Sequence, residues 1–420
     1  MAMQPWNMRA MNENPGTREF VALAAAMMAT QAIAVDAMLP ALPTIVRELQ
    51  VGNENRGQWI ITVYVAGVGI GQLFWGMMSD RFGRRPVLLC GIGMYVLAAA
   101  GCAITGSFTA LLGWRALHGL AAASVVVTRS VIRDRFSGRP MARILSLTFM
   151  VFLTIPVIAP SLGQLVLKFG PWRSVFGLFA LYGAAVWLWA ALRLRETLHP
   201  EYRRTITAAH IGSAAKFVLS NRTSLFYALA VTVMFGALLA YVGMVQQIFA
   251  DVFHRASLMP TMFGLCAISM GFAAFWNSRH VERIGMRRIS HTALLVFIAV
   301  SGLHIAVAAL GLERIWIFVL LQSASMACFN LAASNFGAMA LEPIGAVAGI
   351  GASLQGFIST TGAALVATLI GRQFNSTVVP LAGGALACGL LSLACVLRAE
   401  QGRLFRPHHA DQAPADIKAA

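Results

Sequence analysis

The sequence has few charged residues, and this scarcity excludes most soluble proteins. Only 11% of its 420 residues are Asp, Glu, Lys or Arg, whereas an ordinary soluble domain carries about 25%. Hydrophobic residues make up 58% of the chain. A water-soluble chain would need a very large core to hide so much apolar surface, whereas a lipid bilayer accepts it directly. The composition therefore predicts a polytopic membrane protein.

Cysteine is also scarce, and its placement argues against disulfides and metal sites. The six cysteines lie inside apolar stretches, and no two of them form a Cys-x-x-Cys pair. Neither a disulfide framework nor a metal site is indicated, and we expect no cofactor. The polar segment 1–18 lacks the basic flank and short apolar core of a cleaved signal peptide, so we expect the first hydrophobic segment to remain as a span.

The chain contains twelve apolar stretches, and a helical span needs about 20 apolar residues. They cover residues 20–46, 57–79, 87–106, 109–132, 144–167, 174–192, 224–250, 257–278, 289–310, 315–339, 347–370 and 380–397. The longest polar connection follows the sixth stretch. We therefore predict an all-α integral membrane fold of twelve helices in two pseudo-symmetric halves. The predicted divisions are the N-terminal tail 1–19, the first half 20–192, the central loop 193–223, the second half 224–397 and the C-terminal tail 398–420.

The basic residues are distributed unevenly between the two predicted sides of the membrane. If the N-terminus is cytoplasmic, 23 of the 32 Lys and Arg residues fall on that side and seven on the other. The remaining two, Arg115 and Arg129, lie within spans. The positive-inside rule then places both termini in the cytoplasm. The same distribution accounts for the net charge of +16 without a nucleic-acid partner.

A short internal repeat supports the division into halves. The string Asp-Arg-Phe-Gly-Arg-Arg at 80–85, after the second stretch, returns as Glu-Arg-Ile-Gly-Met-Arg at 282–287, after the eighth. The offset of 202 residues is close to half of the chain. Two parallel halves with a binding site near the membrane midplane are a recurrent plan of transporters.

Asp36 is the one acidic residue that the predicted boundaries leave deep inside a span. Such a side chain costs several kcal/mol unless it faces a cavity, finds a partner or takes up a proton. Asp36 is therefore a candidate for reversible protonation. The alternative is a structural carboxylate that ties the first helix to a neighbour.

Arg115 and His118 are two further polar residues within a span. They lie three residues apart and so share one face of the fourth helix. A guanidinium in this position needs an acceptor or a water-filled cavity, which favours a functional role for Arg115. For His118 two interpretations stay open, a proton relay and a hydrogen-bonded interior histidine. His304 has no ionisable neighbour at helical spacing, which favours the second interpretation there.

Several bulky, soft or amide side chains within the spans suit a permissive apolar pocket. The candidates for substrate contact, besides Asp36, are Tyr64, Phe149, Met150, Phe235, Tyr241, Gln246, Met270, Asn330 and Gln355. For each of them alone, helix packing is favoured over substrate contact. The amides are the stronger candidates, because a polar group that faces lipid would be unsatisfied.

The most specific string in the chain runs from Gly76 to Pro86 and reads Gly-Met-Met-Ser-Asp-Arg-Phe-Gly-Arg-Arg-Pro. Its glycines permit a tight turn between two helices. The string resembles the signature that follows helix 2 in the major facilitator superfamily, G-x-x-x-D-R-x-G-R-[RK]. This resemblance implies the major facilitator fold and transport by alternating access.

Further motifs resemble one branch of that superfamily. Residues 115–119, Arg-Ala-Leu-His-Gly, are similar to the helix 4 motif R-x-x-Q-G, with His118 in place of Gln. Residues 156–163 are similar to the helix 5 antiporter motif. Together with segments 36–43, 133–136 and 172–176, they resemble the twelve-span drug:proton antiporters of the bicyclomycin/chloramphenicol-resistance (Bcr/CflA) type.

The resemblance implies roles for particular residues. Asp36 would bind the proton and a cationic drug, and Arg115, with His118 beside it, would take part in proton coupling. A gating set would include a cytoplasmic latch and the bends of helix 5; it comprises Gly76, Asp80, Arg81, Gly83, Arg84, Arg85, Asp134, Pro156, Pro160 and Gly163. The implied protein is a monomer in a bacterial inner membrane whose partners are small-molecule substrates, protons and lipid.

Other functions stay open on the sequence alone. A proton-coupled carrier of a native metabolite, such as a sugar, an amino acid or a siderophore precursor, is the main alternative, although a sugar carrier would be expected to show more amides and acids in its spans. A membrane enzyme would need a cluster of catalytic groups, and only Asp36 is available. A receptor would carry an output domain, for which 398–420 is too short.

Overall fold

The computed structural model describes residues 16–52, 54–136, 138–198, 201 and 216–405, and all regular elements in these ranges are helical. The first half contains α1 Thr17–Asp36, α2 Leu42–Glu48, α3 Trp59–Phe82, α4 Arg84–Ile104, α5 Phe108–Ala122, α6 Val127–Arg135, α7 Gly138–Phe169 and α8 Arg173–Arg193. The second half contains α9 Arg222–Gln247, α10 Met259–Ile284, α11 Met286–Ala309, α12 Ile315–Leu341, α13 Ala348–Gly371 and α14 Val379–Ala399.

These helices confirm the predicted all-α membrane fold. Within the described ranges, eleven helical segments are long and apolar enough to cross a membrane, and the 32-residue helix α7 supplies the twelfth. Two spans are interrupted: α1 and α2 form the first, and α5 and α6 form the fourth. Residues 1–15 of the predicted N-terminal tail, 199–200 and 202–215 of the predicted central loop and 406–420 of the predicted C-terminal tail lie outside the described residues.

The repeat marks the same junction in both halves. Gly83 separates α3 from α4 and has a φ of 106°, and Gly285 separates α10 from α11 and has a φ of 90°. Only glycine adopts such angles at no steric cost. The two motifs therefore occupy equivalent turns, as expected for two halves with the same fold.

Small residues let helices of the first half approach closely. A Cβ on Gly119 of α5 would lie 1.9 Å from the carbonyl oxygen of Tyr64, and one on Gly67 of α3 would lie 2.4 Å from that of Ala116. Such approaches are typical of membrane helices, whose association depends on van der Waals packing because lipid is as apolar as the helix surface. The contact keeps α3 and α5 in register near the middle of the first half.

The outer surface is apolar, as a lipid-facing surface must be. Large hydrophobic side chains on many helices are mostly exposed, among them Leu97, Ile104, Leu181, Leu192, Phe272, Trp316 and Leu320. The two halves meet along α3 with α13 and along α7 with α10. Along the first of these contacts Thr62 and Thr368 form a hydrogen bond.

Candidate functional site

Asp36 lies at the point where the first span breaks. Helix α1 ends at Asp36, and a short 3-10 turn, Leu39–Ala41, leads into α2. Pro40 explains the break, because a proline lacks the N–H that would bond to the carbonyl four residues earlier and its ring clashes with that carbonyl. In this chain that carbonyl belongs to Asp36. The sequence therefore places an acidic side chain next to an interrupted stretch of backbone inside a span.

The Asp36 carboxylate is buried without a compensating charge. The residue is 7% exposed, and within the described ranges no hydrogen bond or ion pair joins it to another residue. The turn after it is held by α7, since a Cβ on Gly163 would lie 1.9 Å from the carbonyl oxygen of Ala37. Asp36 is thus firmly positioned but electrostatically open to a proton or a cation.

Arg115 joins three helices close to Asp36. Its Nη2 donates to the carbonyl oxygen of Ala34 at 3.2 Å, and its Nε donates to that of Ile60 at 3.2 Å. Its guanidinium also lies over the ring of Tyr64, 4.1 Å from the centroid. Arg115 is completely buried, so these carbonyls and the aromatic face replace water around its charge. The planar fork of arginine suits this set of divergent acceptors.

His118 completes the surroundings of Arg115. Its Nδ1 lies 3.0 Å from Nη1 of Arg115, and since arginine only donates, Nδ1 accepts in this arrangement. Nε2 is buried and has no partner among the described residues. The ring of Tyr95 packs against His118 with centroids 4.2 Å apart. His118 therefore orients the guanidinium in this state, and its proposed relay role stays a prediction.

The other predicted contact residues are divided between separate environments. Tyr64 donates its hydroxyl to the carbonyl of Gln31 on α1, five residues before Asp36. Tyr241 stacks on Phe263 inside the second half, and Phe235 stacks on Phe329. Asn330 donates to the carbonyl of Met270 at 3.2 Å, and Gln355 lies 3.5 Å from that of Gly337. The side chains of Phe149, Met150 and Pro156 lie outside the described part.

One of these residues carries a buried polar atom without a partner in the described ranges, Oε1 of Gln246 on α9. The hydroxyl of Tyr241 on the same helix pairs with the thiol of Cys266. An unpaired buried polar atom costs free energy, so a ligand that donates a hydrogen bond would be favoured at Gln246. Gln246 is therefore the stronger candidate of the two for polar contact with a substrate.

The predicted gating motif forms a compact charge cluster. The side chain of Arg84 is almost fully buried and bonds to Asp80, to Ser79 at 2.7 Å and to Asp134 at 3.0 Å. The cluster joins the α3–α4 turn to α6. Arg81 is exposed and lies over the ring of Phe82. A Cβ on Gly76 would lie 3.5 Å from Oγ of Ser353 in the second half, which is an ordinary contact distance.

Glu196, which the sequence analysis did not single out, belongs to the same cluster. Its Oε1 accepts from the backbone N–H of Arg84 at 2.9 Å, and its Oε2 accepts from that of Arg85 at 3.2 Å. The carboxylate thus caps the free N–H groups and the positive end of α4. Arg85 also donates to the carbonyl of Ala191. Because Glu196 is 112 residues away from Arg84 in the chain, no local pattern indicates this contact.

Polar bonds between the halves were also not predicted. Nε2 of Gln58 donates to Oε1 of Gln247 at 2.7 Å, and the hydroxyl of Thr368 donates to that of Thr62 at 3.2 Å. Both bonds lie where α3 begins, which is the opposite end of the bundle from Gly83. They hold α3 against α9 and α13 across the interface between the halves.

Comparison with known proteins identifies the family. Residues 21–368 match the model of the Major Facilitator Superfamily. The chain belongs to this superfamily. The transporter is 27% identical over 387 residues to the bicyclomycin resistance protein homolog of Haemophilus influenzae, covering 91% of this chain and 96% of the relative.

Two further comparisons agree with this assignment. The transporter is 29% identical over 369 residues to the multidrug resistance protein MdtL of Klebsiella pneumoniae, covering 86% of this chain and 91% of the relative. The structure of a D-xylose-proton symporter matches with a TM-score of 0.71 at 11% identity, covering 92% of this chain and 99% of that chain, which shows a shared fold.

The relatives confirm the resemblance to the Bcr/CflA type that was drawn from residues 36–176. The molecule is a multi-pass membrane transporter of small molecules and not an enzyme.

Proposed function

We propose that this transporter is a proton-coupled multidrug antiporter that exports small hydrophobic or cationic compounds by alternating access. The observation that carries the proposal is the environment of Asp36. Its carboxylate is buried, lies beside a break in α1 and has no cationic partner in the described ranges. The names of the relatives, bicyclomycin resistance and multidrug resistance, support the same substrate class.

The coupling follows from competition for one carboxylate. A buried negative charge must be neutralised, and Asp36 offers two ways, a proton or a positively charged substrate. Only one of the two can occupy it at a time, so proton uptake releases a cationic substrate and substrate uptake releases a proton. Among the described residues Arg115 has no acid as a hydrogen-bond partner, and it stays engaged with the carbonyls of Ala34 and Ile60. It would transmit a change at Asp36 to α3.

Alternating access requires that the two halves separate at one end while they close at the other. The bonds Gln58–Gln247 and Thr62–Thr368 support closure at the predicted periplasmic end. The Arg84 cluster at the opposite end joins elements of the first half and would act there as one rigid unit. Protonation of Asp36 would favour one state and substrate binding the other, so each ligand biases the same equilibrium.

The central experiment measures efflux from cells that express the wild type, Asp36→Asn or a control, Glu342→Gln, each with and without a protonophore. Asn preserves the size of Asp36 but cannot exchange a proton, and Glu342 is an exposed acid outside the site. The substrates are a fluorescent lipophilic cation and the uncharged compound chloramphenicol. We expect the wild type and the control to export at least one of them, and Asp36→Asn and the protonophore to abolish that export.

A second measurement separates coupling from binding. Addition of substrate to the purified wild type in weakly buffered detergent solution should release protons, and Asp36→Asn should release none. If Asp36→Asn retains export of chloramphenicol that the protonophore still abolishes, Asp36 is not the proton carrier. If well-expressed wild-type protein moves neither compound, the drug-export proposal gives way to a carrier of a native metabolite.

A further inference from the structure

A basic cleft, shallow and wide open to its surroundings, lies at the outer edge of the second half, away from the transport site. It has a volume of about 610 Å³ and is formed where α9 begins and α14 ends; its lining residues are Arg222, Ala394, Leu397, Arg398, Gln401 and Gly402. Both helix ends are on the same side of the bundle as Gly83, which is the predicted cytoplasmic side. The cleft therefore opens at the level of the membrane–water boundary.

One of the lining arginines is held in place by a hydrogen bond. Nε of Arg222 donates to the backbone carbonyl of Arg398 at 2.8 Å. This bond satisfies one of the free carbonyls at the end of α14 and fixes the direction of the guanidinium. Arginine has five N–H donors, so four donors of Arg222 stay available for an acceptor that enters the cleft.

The positive charge of the cleft is not balanced by protein groups. Within the described ranges neither Arg222 nor Arg398 has a carboxylate partner. Glu400 is the nearest acid in the chain, but it is 2% exposed, and its Oε1 accepts from Nε of Arg287 at 2.8 Å and from the hydroxyl of Tyr227. The carboxylate thus points into the second half. Two arginines without a carboxylate partner therefore line one cleft, a combination that favours an anion.

The wall of the cleft adds an apolar component. Ala394 and Leu397 line it, and Leu390, which precedes Ala394 by four residues on the same face of α14, is 51% exposed. This apolar track leads from the arginines towards the hydrocarbon region. An amphiphile with a phosphate next to acyl chains fits such a surface, whereas a free phosphate uses only its basic end.

We propose that this cleft binds the phosphate headgroup of an anionic phospholipid of the cytoplasmic leaflet, with Arg222 and Arg398 on the phosphate and the acyl chains along Leu397, Ala394 and Leu390. Basic pockets between membrane helices on this side are suited to such headgroups. The bound lipid would brace α9 against α14, two helices of the same half. The proposal is independent of the transported substrate.

Native mass spectrometry of the purified full-length chain in detergent tests the proposal. The protein is titrated with phosphatidylglycerol, cardiolipin or phosphatidylcholine, and the bound fraction is measured for four forms. These are the wild type, Arg398→Gln, Arg222→Gln/Arg398→Gln and a charge-matched control, Arg283→Gln/Arg288→Gln, whose arginines are exposed at the same end of the bundle. Arg398→Gln keeps the backbone carbonyl that Arg222 binds, so its fold is expected to be retained.

We expect the wild type and the control to bind the anionic lipids in preference to phosphatidylcholine. Each lost arginine should weaken that binding by roughly fivefold, the ratio that corresponds to one basic residue near an anionic surface. Equal binding by the control and by the cleft variants would overturn the site. In parallel, thermal unfolding of the wild type is measured with inorganic phosphate and with phosphatidylglycerol. Equal protection by the two would overturn the assignment to a lipid.

Discussion

Replacement of Gly163 by alanine tests how Asp36 is positioned. Gly163 lies on α7 where that helix meets the turn after Asp36, and an added Cβ would lie 1.9 Å from the carbonyl oxygen of Ala37 and 2.9 Å from its carbonyl carbon. Both atoms are backbone and cannot rotate away. Because real Cβ contacts below 3.0 Å essentially do not occur, α7 and the turn must separate by about 1 Å, an overpacking that typically costs 1–3 kcal/mol.

The matched control is Gly177→Ala on α8, where nothing lies within 4 Å of the added Cβ. Alanine is intrinsically better than glycine in a helix by about 0.5–1 kcal/mol, and this gain applies to both variants. We therefore expect Gly177→Ala to be neutral or slightly stabilised, and Gly163→Ala to be less stable than it by about 2 kcal/mol. Thermal unfolding of the purified proteins in the same detergent measures the difference.

The same displacement should impair transport. A shift of about 1 Å in a positioning element can reduce a rate by about 100-fold, and the turn that moves directly follows Asp36. We expect substrate-induced proton release and efflux to fall in Gly163→Ala at equal expression, and to be unchanged in Gly177→Ala. Equal stability and equal transport in the two variants would refute the claim that the contact between α7 and Ala37 positions the site.

Three further predictions concern the other contacts. Glu196→Ala removes the cap of α4 at Arg84 and Arg85 and should lower the free energy of unfolding by about 1 kcal/mol. The control is Glu342→Ala, which replaces an exposed acid. Equal unfolding curves for the two variants would contradict the capping role. Gln58→Ala removes the bond to Gln247, worth about 0.5–1.5 kcal/mol. In a chain that also carries Ala240→Cys, the loss should increase labelling of that cysteine by a membrane-impermeant thiol reagent up to about tenfold. The background is labelling of the chain without that cysteine, and labelling unchanged by Gln58→Ala would exclude a gating role. Arg115→Lys cannot reach Ala34, Ile60 and His118 together, so transport should be lost at normal expression, and retained transport would show that charge alone suffices.

The general architecture followed from patterns that are local in the chain. Apolar stretches of span length predicted the helices within a few residues, because lipid imposes one physical demand on every span, that its backbone be satisfied internally. The repeat at Asp80 and Glu282 predicted the two equivalent turns, since a glycine with positive φ serves the same purpose in each. Asp36 stood out because acids are rare in apolar spans, and Pro40 explains why the helix ends beside it.

What only the tertiary structure decided are contacts between residues that are distant in the chain. Some contacts across a turn were missed as well: His304 has no ionisable neighbour at helical spacing, yet its Nε2 lies 3.2 Å from Oε1 of Glu313 across the connection between α11 and α12. Glu400 lies in the segment 398–420 that was predicted as a tail, yet it is buried and bonds to Arg287, 113 residues earlier in the chain.

Composition and the run of apolar residues thus indicated that the chain lies in lipid, where its spans run and that Asp36 lies deep inside one of them. They can do so because hydrophobic free energy is summed residue by residue. The partners of Glu196, Gln58 and Arg115 depend instead on which helix faces meet. Close contacts at glycines and hydrogen bonds between helices decide which faces meet. A short stretch of sequence contains only one of the two helices and therefore does not show these contacts.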